Sequence, residues 1–171
     1  MEMVELKSPL ELLTPSYLEF LSEMRSLGEK IDPDMFPRDT ESISDFIQNI
    51  LLAEKTSAQG SVPETTYWAC VGDIVVGRIS LRHYLNENLQ EYGGHIGYDV
   101  RPSYRKKGIG KEMLRQLIGT DKAKEIGKLL LTCAPNNTAS NKTILANGGV
   151  LAKTAYVEKW KRETNYYWIT V

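Results

Sequence analysis

The residues best suited to chemistry form one short basic turn, Arg105–Lys111. The apolar run Ile96–Val100 before it predicts a strand, and Pro102 ends that strand because proline has no amide hydrogen to donate. After the turn, apolar residues recur at helical spacing from Ile109. Free amide hydrogens at a helix N-terminus, beside glycines that let a ligand approach the backbone, bind phosphate readily. The turn therefore predicts an anion site.

The glycine spacing in this turn excludes two common kinds of phosphate site. The chain has no Gly-x-x-x-x-Gly-Lys-Ser/Thr, and no Gly-x-Gly-x-x-Gly follows a strand. A metal centre is not indicated either, since two histidines and two scattered cysteines make no ligand spacing. The alternative to an anion site is a basic, solvated helix start that uses its glycines only for the turn.

The rest of the chain supplies elements on both sides of the turn. Hydrophobic periodicity predicts a helix before Gly28 and a second helix from about Ser42. Two strand-like runs parted by a glycine-containing turn predict a hairpin. The helix after the basic turn is predicted to end at Gly127. The remaining predictions are a polar link at 86–92, a strand at 128–133, a helix up to Asn147, and closing strands at 150–157 and 166–171.

Composition places the chain among ordinary globular proteins, with 42% hydrophobic and 25% charged residues. No apolar run reaches the length of a membrane span, and the two cysteines lie in apolar runs, so we expect a cytoplasmic protein. The net charge of -1 hides an asymmetry: residues 1–65 carry -8 and residues 66–171 carry +7. Nucleic-acid binding is disfavoured because the basic residues cluster at one turn.

Two motifs resemble one known family. Arg105-Lys-Lys-Gly-Ile-Gly110, preceded by Val100-x-Pro102, resembles the Gln/Arg-x-x-Gly-x-Gly/Ala signature of the GCN5-related N-acetyltransferases, the GNAT family. That family also has an asparagine and, three positions later, a small residue after the next strand; these positions fall on Asn137 and Ser140. The resemblance is good over residues 65–171 and extends to the first 64 only in element order. Uncharacterised bacterial members are the most similar.

The resemblance implies one domain over residues 1–171 with an α+β fold, in which helices flank a mixed, mostly antiparallel central sheet. Residues 1–64 would supply the helices on the acceptor side, and residues 65–171 the acetyl-CoA-binding core. The implied activity moves an acetyl group from acetyl-CoA to a primary amine of a small molecule or peptide, without a metal. A non-catalytic acyl-CoA sensor is the alternative.

The resemblance also assigns cofactor-binding residues. In the family the turn holds the pyrophosphate, and the strand before it parts from its neighbour and exposes amides to the pantetheine arm and the thioester carbonyl. The matching positions are Tyr98, Val100, Arg105, Lys106, Lys107, Gly108, Ile109, Gly110, Lys111, Asn137 and Ser140. Tyr98 and Val100 would act through their backbones, and Asn137 is also expected to cap a helix.

Acetyl transfer needs a neutral amine, and an amine of pKa near 10.4 is almost wholly protonated at neutral pH. A base near the centre of the sheet is therefore expected, with Glu91 and His83 as candidates and His95 as the third. A core histidine and a carboxylate in a solvated loop are the alternatives. The family often protonates the leaving thiolate with a tyrosine, but that position is Ile144 here. Tyr98, Tyr156 or water could replace it, or the thiolate could leave without help.

The acidic N-terminal part suggests the charge of the acceptor. In the family, the first two helices and their link form one wall of the acceptor site. The residues at that link and just after it include six acids: Glu29, Asp32, Asp34, Asp39, Glu41 and Asp45. Such a wall would attract a cationic acceptor, whereas the alternative is a loop kept acidic for solubility. A homodimer is also compatible with the sequence.

Overall fold

The computed structural model describes residues 3–56 and 58–171. Its strands, in chain order, are β1 (Glu5–Lys7), β2 (Glu64–Val71), β3 (Ile74–Arg82), β4 (Ile96–Val100), β5 (Lys128–Cys133), β6 (Val150–Val157) and β7 (Arg162–Thr170). Its α-helices are α1 (Thr14–Ser26), α2 (Ile43–Leu52), α3 (Glu87–Glu91), α4 (Ile109–Ile118), α5 (Asp121–Ile126) and α6 (Thr138–Leu145). This is the predicted α+β class, with helices flanking antiparallel sheets.

The strands form two sheets. One has the order β1-β2-β3-β4 and the other the order β5-β7-β6, and every ladder in both sheets is antiparallel. Just before β4, a single antiparallel bridge between Gly94 and Leu131 joins the sheets. β4 and β5 are thus adjacent at one end only, and beyond that end a gap separates them.

Gly94 and His95 make the joint between the sheets. Gly94 has a φ of +63°, and a β-carbon there would overlap the Leu130 carbonyl group, so only glycine allows this approach. His95 binds both sheets: its carbonyl accepts from the Arg82 amide at 2.7 Å and its amide donates to the Leu130 carbonyl at 2.7 Å. Its ring Nδ1 accepts the Leu130 amide at 2.9 Å.

Apolar residues fill the two faces of the first sheet separately. On one face, Met113, Leu114 and Leu117 of α4 pack with Ile79 and Leu81 of β3. On the other face, the α1 residues Tyr17 and Phe20 pack against Trp68 of β2, and the Tyr17 and Trp68 rings stack with centroids 4.3 Å apart. The first sheet therefore lies between a helix that begins at the basic turn and a helix from the acidic N-terminal part.

The chain differs from the sequence predictions in three elements. The predicted single helix from Ile109 to Gly127 is two helices, because Thr120 starts α5 by accepting the Ala123 amide with its side chain. The predicted polar link at 86–92 contains α3, which Asn86 caps through the Leu89 amide. β7 begins at Arg162, four residues before the predicted strand.

In the described part of the chain, no helix is both long and apolar enough to cross a membrane. Within the same residues, no group of three or more histidine, cysteine, aspartate or glutamate side chains could hold a metal ion.

Candidate active site

The basic turn has the backbone of an anion site. Lys106 and Gly108 are both left-handed, with φ values of +62° and +79°. The first hydrogen bond of α4 runs from the Glu112 amide to the Gly108 carbonyl at 3.1 Å. The amides of residues 109–111 therefore precede the helical ladder and are available to a ligand. Lys106, Lys107 and Lys111 are exposed around them, so the turn offers both amide donors and positive charge.

The two glycines of the turn meet different surroundings. A β-carbon at Gly108 would meet nothing within 4 Å, so this side of the turn is open. A β-carbon at Gly110 would lie 3.4 Å from Val100 Cγ2 and 3.7 Å from Thr143 Oγ1. Gly110 thus brings the start of α4 close to β4 and α6, whereas Gly108 leaves the approach to the amides free.

The β4 backbone presents polar groups to the gap. At one end of β4, the His95 carbonyl accepts from the Arg82 amide of β3, and at the other end the Arg101 amide donates to the Val76 carbonyl. In an antiparallel pair, residues bonded in this way alternate with residues whose amides and carbonyls point away from the neighbouring strand. The amides and carbonyls of Tyr98 and Val100 therefore point away from β3 and into the gap. The contact of the Val100 carbonyl with a side chain beyond β4, the Arg105 Nε at 2.9 Å, agrees with this direction.

Helix α6 lies across the gap from β4. The Tyr98 hydroxyl and Ser140 Oγ are 2.9 Å apart. Asn137 caps α6 as predicted, because its side chain accepts the Ser140 amide at 3.1 Å. Asn141, which the sequence analysis did not single out, holds α6 against the second sheet: its Oδ1 accepts from the Tyr167 hydroxyl and, at 3.0 Å, from Asn165.

Arg105 is engaged within the protein. Its guanidinium forms two hydrogen bonds to the carboxylate of Glu29, at 2.5 and 2.8 Å. Hydrogen bonding to Arg105 lowers the pKa of Glu29. This pair joins the basic turn to the link between α1 and α2, and it involves one of the six acids predicted to line the acceptor wall.

Three of the other acids are bonded locally. Asp32 accepts the Asp34 amide at 3.0 Å, Asp45 accepts the Ser42 hydroxyl at 2.6 Å, and Glu41 accepts from Asn49 at 2.6 Å. Asp34 lies 4.0 Å from Arg38, with both side chains exposed. The link is therefore acidic and exposed to solvent, beside an open hollow lined by Arg25, Glu29, Ile31, Pro33 and Phe36.

Of the three predicted base candidates, His83 and His95 line one hollow, and Glu91 does not line it. His83 follows β3, its Nε2 is 2.8 Å from Thr65 Oγ1, and burial lowers its pKa. It lines a second open hollow with His95 and residues of α5. Glu91 is exposed at the end of α3, and its carbonyl accepts from the Tyr166 hydroxyl at 2.5 Å. Burial, together with the nearby charge of Arg82, lowers the pKa of His95 to about 4.

A carboxylate that no sequence motif singles out, Asp99, lies beside the gap. Asp99 stands between Tyr98 and Val100 on β4 and pairs across the ladder with Arg78. Its side chain lies on the face covered by α1, because Arg78 also pairs with Trp68, which stacks on Tyr17. Burial raises the pKa of Asp99, Arg78 opposes the shift and Glu29 adds to it. Strand alternation predicts the face of Asp99, but no sequence pattern shows its neighbours.

The chain has a buried apolar residue at the position of the family's tyrosine. Ile144 in α6 is 1% exposed and belongs to the core. Ser140, one helical turn earlier, is the residue bonded to the Tyr98 hydroxyl. Burial raises the pKa of Tyr98, so its phenol remains protonated at neutral pH. A tyrosine hydroxyl is thus present one turn from Ile144, although it comes from β4.

Comparisons with known proteins identify the family. The sequence model of the acetyltransferase (GNAT) family matches residues 23–148. A search of the curated proteins found no significant match. Among solved structures, the microcin C7 self-immunity acetyltransferase MccE, in complex with acetyl-CoA and AMP, has a TM-score of 0.70 at 17% identity, with 100% of this chain and 94% of that chain covered.

Two further structures are ribosomal-protein acetyltransferases. The ribosomal L7/L12 α-N-protein acetyltransferase RimL, in complex with coenzyme A, has a TM-score of 0.71 at 19% identity over 100% of this chain and 96% of that chain. The ribosomal-protein-S5-alanine acetyltransferase from Vibrio fischeri has a TM-score of 0.71 at 15% identity over 99% and 94%. At these identities the likeness concerns the fold. The family match covers most of the chain, and the chain belongs to the GNAT acetyltransferase family.

Proposed function

We propose that the chain transfers an acetyl group from acetyl-CoA to a primary amine of a small molecule or peptide. The observation that carries the proposal is the gap between β4 and β5, which opens beside the N-terminus of α4. A cofactor with a pyrophosphate at one end and a thioester at the other would place the pyrophosphate on the turn and lay its arm along β4. Family membership supports an enzyme over a non-catalytic sensor.

Backbone groups carry most of the proposed cofactor binding. The amides of Gly108, Ile109, Gly110 and Lys111 would bind the pyrophosphate, with charge from Lys106 and Lys107. The Val100 amide would bind the pantetheine arm, and the Tyr98 amide would donate to the thioester oxygen as negative charge develops there. Asn137 and Ser140, at the start of α6, would contact the pantetheine arm from the other side. Arg105 would contribute through its backbone while its side chain holds Glu29.

The Tyr98 hydroxyl is our candidate donor to the leaving thiolate. It lies at the gap against Ser140, one helical turn from Ile144. Its pKa is raised by burial, so it remains a hydroxyl that can donate a hydrogen bond to the thiolate as the carbon–sulfur bond breaks. The thiolate, whose conjugate acid has a pKa near 8.5, is too weak a base to remove the phenol's proton. Tyr156, the other tyrosine considered, is 56% exposed on β6.

The proposed acceptor is cationic. The acidic, exposed link between α1 and α2 would raise the local concentration of an ammonium group. Two of the structures with the same fold act on ribosomal proteins, which supports a peptide as one class of acceptor. Glu91 and His83 stay proposals for the base that deprotonates the amine.

We also propose a homodimer in the cytoplasm. Val150 and Trp168 pair across β6 and β7 and are 68% and 37% exposed, so the outer sheet presents apolar side chains. Cys70 and Cys133 are free and buried, as a reducing compartment allows. Sedimentation velocity at several protein concentrations tests the dimer, and a single monomeric species contradicts it.

The activity is tested by release of coenzyme A thiol from acetyl-CoA with three amines: spermidine, a peptide with N-terminal alanine and a peptide with N-terminal serine. We expect amine-dependent thiol release with at least one of them and an acetylated product by mass spectrometry. Acetyl-CoA binding in calorimetry without turnover of any amine supports the sensor instead. Absence of binding contradicts both functions.

A further inference from the structure

We propose that the Asp99 carboxylate takes the proton from the acceptor amine, as the general base of the acetyl transfer proposed above. Asp99 lies between Tyr98 and Val100, the two residues whose backbone groups face the gap. If those groups hold the thioester arm, Asp99 is the side chain on β4 at the level of the reacting carbonyl.

Asp99 lies on the face of the first sheet opposite the one that packs with α4. Tyr98 and Val100 side chains pack with α4, and Tyr98 reaches α6, so the cofactor's side of β4 is the α4 side. Successive side chains of a strand point to opposite faces. Asp99 therefore points to the face covered by α1, on the same side as the acidic link that would attract the amine.

The Asp99 carboxylate is available. Within residues 3–56 and 58–171 it forms no hydrogen bond and no ion pair. Its cross-strand neighbour Arg78 instead contacts Glu64 at 3.4 Å, and Glu64 also contacts Arg82 at 3.2 Å. Arg78 thus forms its ion pair with Glu64 rather than with Asp99, although its charge still lowers the pKa of Asp99.

The charged and titratable groups around Asp99 come from four elements. They are Tyr17 of α1, Glu29 of the link, Arg78 of β3 and Arg105 of the turn. Burial raises the pKa of Asp99 above the ordinary value of an aspartate. A carboxylate with a raised pKa is a better proton acceptor near neutral pH than an exposed one.

The step balances in protons and electrons. Asp99 takes one proton from the ammonium, directly or through one water, and the freed nitrogen lone pair forms a bond to the thioester carbonyl carbon. The carbon–sulfur bond then breaks, and its electron pair leaves on the coenzyme A sulfur. The nitrogen loses its second proton to solvent and the sulfur takes up one proton from solvent, so each turnover releases one proton in all. Asp99 releases its proton to solvent before the next turnover.

The two earlier candidates lie less favourably along the sheet. Ile79 is opposite Tyr98, and His83 is four residues beyond Ile79, or about 13 Å along an extended chain. Glu91 belongs to α3, before the joint at Gly94. Asp99 is adjacent in sequence to both backbone groups of the gap.

The test is the pH dependence of kcat/KM for Asp99→Asn, measured with the most active of spermidine and the two peptides. We expect a loss of about 10²-fold at pH 7. The loss should shrink as the pH approaches the pKa of the amine, because free amine then needs no base.

Asp73→Asn, in the exposed β2–β3 turn, is the matched control and should retain the wild-type profile. Calorimetry should show acetyl-CoA binding by Asp99→Asn within threefold of the wild type, which establishes that the variant is folded.

The outcomes separate this role from the activity itself. Turnover by Asp99→Asn within threefold of the wild type across the pH range contradicts the role of Asp99 and leaves acetyl transfer intact. Glu91→Gln and His83→Gln are assayed in parallel, and a pH-dependent loss in one of them alone assigns the base there. If the wild type acetylates none of the three amines, the proposed function and the role of Asp99 fail together.

Discussion

At the scale of single residues, Gly108 combines two requirements. Its φ of +79° is costly for other residues, and no atom lies within 4 Å of the position where a β-carbon would stand. An enclosed packing position would not leave that space open. Other turn glycines share the combination, and at Gly108 it leaves the amides at the start of α4 open to a phosphate that approaches from outside the protein.

Gly108→Asp should abolish acetyl-CoA binding while the fold survives. The new carboxylate would stand before the amides of α4 and repel the pyrophosphate, and we expect the affinity to fall by about 100-fold or more. Isothermal calorimetry measures the affinity. Gly60→Asp is the matched control, since Gly60 also has a positive φ, of +86°, and open surroundings. Equal binding by the Gly108 variant contradicts the assignment of the turn.

Tyr98→Phe should lower kcat by about tenfold, since the leaving thiolate loses a hydrogen-bond donor that stabilises its charge. Acetyl-CoA affinity should be nearly unchanged, because the proposed contacts of Tyr98 with the cofactor are made by its backbone. Steady-state kinetics and calorimetry measure the two effects separately. Tyr156→Phe is the comparison variant, and a loss of kcat there with full activity in Tyr98→Phe would transfer the role to Tyr156.

At the scale of elements, the joint between the two sheets depends on a neutral histidine. The His95 Nδ1 must be unprotonated to accept the Leu130 amide, and burial lowers the His95 pKa from 6.5 to about 4. The contribution to stability is complete above pH 6.5, decreases as the pH falls below that value, and is lost below about pH 4.

This joint predicts acid sensitivity. The free energy of unfolding should fall by up to about 3 kcal/mol between pH 7 and pH 4 through His95 alone. His95→Asn keeps an acceptor near the Nδ1 position without a titrating group, so its unfolding free energy should depend less on pH over this range. Urea denaturation at several pH values measures the difference. Parallel pH curves for the wild type and the variant would show that His95 does not carry the effect.

Local patterns predicted most elements but not their packing. The strand Ile96–Val100, the hairpin and the cap at Asn137 follow from alternation, turn residues and side-chain capping, which act over a few residues. The break at Gly119 had a local signal as well, because Thr120 is a good N-cap, but the continuing apolar periodicity favoured one helix.

The candidate site was predictable only in its backbone part. The turn and the strand before it are contiguous in sequence, so a motif describes them. The Glu29–Arg105 pair joins residues 76 positions apart, and Arg78 contacts Glu64, 14 positions away, rather than its cross-strand neighbour Asp99. Contacts of this kind arise from tertiary packing, which no spacing rule describes.

At the scale of the whole molecule, part of the charge asymmetry is used internally. Arg101 is buried and pairs with Glu23 at 2.6 Å and with Glu19 at 3.4 Å, and Arg105 pairs with Glu29. These contacts join the acidic N-terminal part to the basic C-terminal part. The acids available to a ligand are therefore the exposed ones of the link, after Glu29.

Replacing Asp32, Asp34 and Asp39 together by asparagine should raise the KM for a cationic acceptor. The three charges are exposed, so the effect should weaken at high salt. Kinetics with spermidine at low and high salt measure both changes, while the acetyl-CoA affinity should stay the same. A variant with Glu11→Gln, Asp73→Asn and Asp121→Asn controls for the loss of three negative charges elsewhere. An unchanged KM for spermidine would mean that the acids of the link do not attract the acceptor and only keep the loop soluble.

The gap between β4 and β5 has a further consequence for the protein without its co-substrate. A strand edge with unpaired amides is a template on which another chain can add a strand, and most proteins cover or interrupt such edges. Here the proposed cover is the pantetheine arm. We therefore expect the amides of Tyr98 and Val100 to exchange hydrogen quickly in the free protein and slowly with acetyl-CoA bound. The supply of acetyl-CoA would then govern resistance to aggregation as well as the rate of acetylation.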